Sequence, residues 1–113
     1  MFQHKELSQG RWFELTFFEQ MANIGSEVVR AIKWKNKNVV YSKLAIERAL
    51  ELLYLTIEDK KNISRLKELT RLYEVLVDYF YYDNEYGSTD ILWEKYFFPF
   101  MYAARSTNNK PKS

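Results

Sequence analysis

The side chains able to perform chemistry are few and poorly placed for it. The single histidine, His4, lies ahead of the first helical run. A di-iron carboxylate centre needs Glu-x-x-His on two helices and a Ser-His-Asp triad needs a positioned imidazole, so neither can be built. The absence of cysteine removes disulfides, thiolate zinc sites, iron–sulfur clusters and a thiol nucleophile. The chain also lacks a Gly-x-x-x-x-Gly-Lys phosphate loop, a Gly-x-Gly-x-x-Gly fingerprint, an Arg-x4–6-His nuclease motif and paired Glu-x-x-Glu and Glu-x-x-Asp metal motifs. Glu74 and Asp78, four apart, could share a hard cation with Glu68, but Arg71 is near enough to make the same residues an ordinary solvated face. Glu14 falls, in a continuous helical register, among apolar residues near the angle of Ile32, close to a helix start where water or the helix dipole can reach it. No catalytic residue, metal or cofactor is therefore assigned.

Two kinds of binding chemistry remain. The first is positive charge. Arg30, Lys33, Lys35, Lys37 and Lys43 cluster near one connection, where Asp78, Asp83, Glu85 and Asp90 should offset them. Lys5, Arg11, Lys60, Lys61, Arg65, Lys67, Arg105, Lys110 and Lys112 gather at the other end against Glu6, Glu58 and Asp59. That second pole is the candidate phosphate-binding surface, with Lys60, Lys61, Arg65 and Arg105 as its possible nucleic-acid contacts. The second kind is aromatic surface. Trp12 and Trp34 fall on the polar side of the first helix, Tyr54 on that of the second and Tyr82 on that of the third. Residues 96–104 carry no charge at all, and a helix apolar all round normally buries every side.

These residues must be held by helices. Apolar residues recur at spacings of three and four through four segments, and none alternates over a strand length. Ser8 is the expected cap of a first helix that runs to about residue 35, with Leu7 and Trp12 in staple positions. Its apolar face carries Phe17, Phe18, Met21, Ala22, Ile24, Gly25, Val28, Val29 and Ile32. A polar break at 35–38 precedes a second helix over 39–58, with Tyr41, Ala45, Ile46, Ala49, Leu50, Leu52, Leu53 and Ile57 inward. After a connection at 59–62, Leu66, Leu69, Tyr73, Leu76, Val77 and Phe80 mark the third helix. Residues 83–87 form a turn, and Ser88 or Thr89 with Asp90 begins the fourth, which Pro99 should kink or split. Short connections favour antiparallel neighbours, so the expected fold is all-α, an up-down four-helix bundle over residues 1–105 with a flexible basic tail at 106–113.

Composition agrees with one folded domain. Hydrophobic residues make up 47% of the 113 residues, with three Gly and two Pro among them. That content sets aside disorder and collagen-like repeats. The net charge of +2 is too mild for a committed nucleic-acid binder. With no apolar run at the start and none near twenty residues, a cytoplasmic location is the default expectation. Aromatic residues reach 18% of the chain, more than one small core readily hides, so some should lie in an interface.

The segments Asn23-Ile24-Gly25-Ser26-Glu27-Val28, Glu47-Arg48-Ala49-Leu50-Glu51-Leu52-Leu53 and Asp83-Asn84-Glu85-Tyr86-Gly87-Ser88 resemble a family of small prokaryotic helical proteins of uncharacterised function. That resemblance implies a helical fold and no particular activity. In architecture alone the chain is similar to the 23S rRNA intervening-sequence family and to retroelement accessory proteins, without a shared motif. The leading expectation is a non-catalytic protein-interaction or homo-oligomerisation module presenting Ile91, Phe98, Tyr102, Trp12 and Trp34. A nucleic-acid accessory protein comes second, and a small enzyme with an acidic site third.

Overall fold

The expected first helix is broken at Thr16. Its hydroxyl accepts the Glu19 backbone N–H at 3.1 Å, and the Glu19 carboxylate accepts the Thr16 N–H at 2.9 Å. This reciprocal capping box starts a new helix and leaves a separate turn before it. In the computed structural model, which describes residues 10–108, the order is α1 (Gly10–Phe13), α2 (Phe17–Trp34), α3 (Val39–Glu58), a 3-10 segment (Lys60–Arg65), α4 (Leu66–Tyr81) and α5 (Asp90–Asn108). The proposed cap at Ser8 and residues from 109 onward lie outside the described residues. The described residues are all-helical with no strand, packed within 47 × 27 × 25 Å.

The break moves Glu14 off any helix face. It lies exposed between α1 and α2, with ready access to water. Trp12 moves the other way. It is 0% exposed, in the core, and so is not part of a surface.

α2 packs closely on both α3 and α5, which widens its buried arc beyond one apolar stripe. Met21, Ile24, Gly25, Val28 and Ala31 are buried, and so are Gln20 and Glu27. Phe18 stays half exposed. Against α3 the approach is close because small residues line it: Ala45 and Ala49 are buried, and the Ser42 hydroxyl donates to the Ala31 carbonyl at 2.7 Å. Asn38 caps α3 by accepting the Tyr41 N–H at 3.2 Å. Tyr41, expected inward, is half exposed and lies edge-on against Trp34 at the end of α2. Against α5 the seam is aromatic. Gly25 lies under Phe97, where a Cβ would meet the Phe97 Cβ at 2.8 Å, and Phe17 meets Phe100 edge-on at 5.9 Å between centroids.

The backbone of α4 stands farther from its neighbours, and large side chains bridge the gap. Leu69, Leu72 and Leu76 are buried, while Tyr79 reaches Trp93 at 6.3 Å between ring centroids. The turn before α5 is internally bonded. The Asp78 carboxylate accepts the N–H groups of Glu85 and Tyr86 at 2.9 and 3.1 Å. Asn84 exchanges side-chain bonds with the Ser88 backbone at 2.8 and 2.9 Å. Asn84 and Gly87 have φ of 55° and 68°, the left-handed region that these two residue types tolerate best. The Thr89 hydroxyl then accepts the Leu92 N–H at 3.1 Å and caps α5.

Pro99 does not split α5, which continues as one helix to Asn108. The carbonyl that loses its donor is that of Lys95, four residues earlier. Both residues are exposed, so water can satisfy the freed group.

Candidate functional site

α5 divides its apolar residues between two sides. Trp93, Phe97 and Ala104 are buried, with Tyr96, Phe100 and Met101 packed beside them. Ile91, Phe98 and Tyr102 face out, with exposures of 62%, 64% and 61%. They recur at seven and four residues, which places them in one stripe about 16 Å long at 1.5 Å per residue. The rings of Phe98 and Tyr102 are stacked, 6.1 Å apart and 24° from parallel. Leu92 adjoins them and is also exposed.

At the opposite end of α3 the expected basic pole has a different construction. The Lys61 ammonium donates to the buried Asp59 carboxylate and to the Phe13 carbonyl, the latter at 3.0 Å. The Arg65 guanidinium lies over the Phe17 ring, 4.1 Å from its centroid. Both cations thus make contacts within the fold, though they are exposed, as are Lys60 and Arg105. Beneath them lies a buried polar network. The Gln20 amide donates to Asp59 at 2.8 Å and to the Trp12 carbonyl at 3.1 Å, and Asn62 donates to Gln20 at 2.9 Å and to the Thr56 carbonyl at 3.0 Å. The Trp12 indole donates to the Thr56 hydroxyl at 3.1 Å. Burial alone would raise the Asp59 carboxyl, but hydrogen bonds from Lys61 and Gln20 outweigh it and hold the group below the ordinary carboxylate value. Every polar group of this network is paired, so it fixes α1 and the 3-10 segment to the long helices and offers no vacant coordination.

A third feature lies between α2 and α3. Trp34, half-buried, meets Tyr41 edge-on at 5.4 Å and 90°. With Leu44, Arg30 and Arg48 these rings line a cleft of about 320 Å³. The buried Glu27 carboxylate sits beside it, 2.8 Å from Arg30 and 4.0 Å from Arg48.

No protein family, curated protein or solved structure matches this chain. The three segments that carry the resemblance to uncharacterised helical proteins therefore add nothing to function, and the reading rests on geometry.

Several further polar groups are engaged within the fold, whereas the buried Trp93 indole N–H has no hydrogen-bond partner among the described residues. Asp90 accepts from Lys35 at 2.8 Å and from the Tyr79 hydroxyl, tying α2, α4 and α5 together. Asp78 is occupied by the turn amides, and Glu68 accepts the Tyr96 hydroxyl at 3.3 Å. Among the described residues no group of three His, Asp or Glu side chains forms a metal-binding cluster. None of their helices is long and apolar enough to cross a membrane.

Tyr96 carries a measurable consequence. Burial, then the charge of Glu68 and the hydrogen bond to it, push its phenol up to about 12. Because the folded value lies above the unfolded one near 10, the stabilisation is intact below about pH 10 and is lost as pH rises toward 12. Tyr79 and Tyr81 are raised as well, so absorbance titration at 295 nm should show Tyr96 as the last of several late phenols, its ionisation accompanying loss of helicity. In Tyr96→Phe that last component should vanish.

The network at Gln20, Thr56, Asp59 and Asn62 was not foreseen, and no spacing in the sequence announces it. The Thr16-x-x-Glu19 capping signature, by contrast, could have located the helix break that places Trp12 inside.

Proposed function

We propose that the protein is a non-catalytic cytoplasmic interaction module, its four long helices arranged as an antiparallel up-down bundle, that assembles with a second copy of itself through the outer face of α5. The observation that supports this is the stripe of Ile91, Phe98 and Tyr102, each more than 60% exposed. Single exposed apolar residues are ordinary, whereas a continuous stripe with two stacked rings marks an association surface. Side chains of this size, with Leu92, offer on the order of 400 Å² per copy, so a pair needs only a modest polar rim to reach the ~1,000 Å² of a specific interface.

A second copy suits this stripe better than an unrelated helix because the stripe is nearly self-complementary. With two α5 helices antiparallel about a twofold axis, Ile91 meets Tyr102 of the second copy. Lys95 then lies beside Phe98, whose ring face accepts its ammonium.

Size-exclusion chromatography with light scattering should show a concentration-dependent species larger than the monomer. Phe98→Glu places a charge in that apolar contact and should raise the dissociation constant at least 100-fold while leaving helicity unchanged. A wild type that stays monomeric at high concentration would sink the proposal.

A further inference from the structure

The cleft between α2 and α3 is lined by no residue of the α5 stripe and is unused by the proposed assembly. Its chemistry is specific. Trp34 and Tyr41 offer ring surface, Leu44 supplies an apolar wall, and the Arg30 and Arg48 guanidiniums stand at the rim with side-chain exposures of 51% and 36%. The nearly buried Glu27 accepts a hydrogen bond from Arg30 at 2.8 Å and lies 4.0 Å from Arg48, so both guanidiniums stand near one carboxylate without losing contact with water. Planar guanidiniums bind phosphate oxygens in pairs, and aromatic rings accept a base of any sequence by stacking.

Arg30, Lys33 and Lys37 follow at three- and four-residue spacing along one side of α2 and the turn after it. Of the acidic residues expected to offset this end, Asp90 holds Lys35, whereas Asp78 accepts the amides of its own turn.

We propose that this cleft binds a nucleotide unit, the base against Trp34 and Tyr41 and the phosphate against Arg30 and Arg48. Its volume of about 320 Å³ suits one such unit and lies at the small end of ligand pockets. A peptide carboxylate would satisfy the guanidiniums but leave the rings uncovered. A free nucleotide and one residue of a single strand share the required chemistry.

The test is a titration of the full chain with adenosine monophosphate and with a fluorescein-labelled, unstructured single-stranded oligonucleotide, read by dialysis and by anisotropy. At least one probe should bind, and binding of the oligonucleotide should show a log–log salt slope of about −0.7 for the one phosphate neutralised on a single strand. Trp34→Ala and Arg30→Gln should each weaken binding at least tenfold. Tyr41→Ala, at an exposed position, serves the same purpose should Trp34→Ala fold poorly. Equal affinity for both probes assigns the site to free nucleotides, and binding of the oligonucleotide alone assigns it to a strand. Phe98→Glu should bind as wild type does, which separates this site from the assembly of α5. The proposal is overturned if neither probe binds at millimolar concentration, or if phenyl phosphate competes as well as adenosine monophosphate. A loss on Lys60→Glu without a loss on Trp34→Ala would overturn it too, by moving the site to the basic pole.

Discussion

Trp12→Ala is expected to destabilise the protein by about 3–5 kcal/mol, the range for removing a large buried aromatic side chain. Trp12 is fully buried although it belongs to a four-residue helix. A helix that short has no stability of its own, so α1 stays in place through its tertiary contacts. Three of them run through Trp12: the packed ring, the indole bond to Thr56 and the carbonyl that accepts the Gln20 amide. Alanine removes the first two and leaves Gln20 bonded to a chain segment with no anchor. Urea unfolding should show a lower midpoint at nearly constant slope. Trp12→Phe should cost less, because Thr56 keeps its bond to the Leu52 carbonyl at 2.8 Å and most of the ring volume is restored. A Trp12→Ala protein within about 1 kcal/mol of wild type would contradict the burial described, since such truncations cost several times that.

The second large effect is expected at Gly25. In the middle of an exposed helix, glycine to alanine stabilises by roughly 1 kcal/mol. Here the sign should reverse. The new Cβ would stand 2.8 Å from the Phe97 Cβ and 2.9 Å from two of its ring atoms. Those atoms are at the root of a fully buried side chain and cannot swing aside, so α5 must move off α2. Overpacking of this kind costs about 1–3 kcal/mol, and Gly25→Leu should exceed it. Thermal unfolding followed by circular dichroism should show Gly25→Ala melting several degrees below wild type. Combining it with Phe97→Ala should recover only part of the Gly25→Ala penalty, because alanine removes the two ring contacts but keeps the Cβ at 2.8 Å. An increase in melting temperature for Gly25→Ala alone would show that the α2–α5 seam is looser than described.

Much of the helical framework was legible from residue types. The break at Lys35-Asn36-Lys37-Asn38 and the apolar period after it gave α3 its observed limits, because Asn38 is both a poor helix former and a good cap. Leu69 and Leu76 were placed inward on α4 for the same periodic reason. The exposed positions of Ile91, Phe98 and Tyr102 followed from setting α5 against its charged residues. Other features were hidden. Trp12, Phe13, Leu15 and Phe17 make the first apolar run look continuous, and only the local bonds of Thr16 interrupt it. Gln20 and Glu27 are polar yet buried, because α2 has helices on two sides and its buried arc exceeds what a single-face pattern assumes. Lys61 and Arg65 read as a charged surface, but partners distant in the chain, Phe13 and Phe17, take them up. Long-range pairing of this sort leaves no mark on local spacing.

The turn of Asp78, Asn84, Gly87 and Ser88 bears on the order in which the chain can close. The contacts it sets up are short in sequence, as between Tyr79 and Asp90 eleven residues apart. The seam of Phe17 with Phe100 joins positions separated by about 80 residues. With closure entropy growing as the logarithm of loop length, the nearer contact is cheaper to form by about 2 kcal/mol. The α4–α5 turn and the α2–α3 hairpin are thus the low-contact-order parts of the molecule, and docking of α2 onto α5 is the step that carries the search. Residues that shape the turn act on how fast the native topology is reached, whereas those along the α2–α5 seam decide how long it lasts.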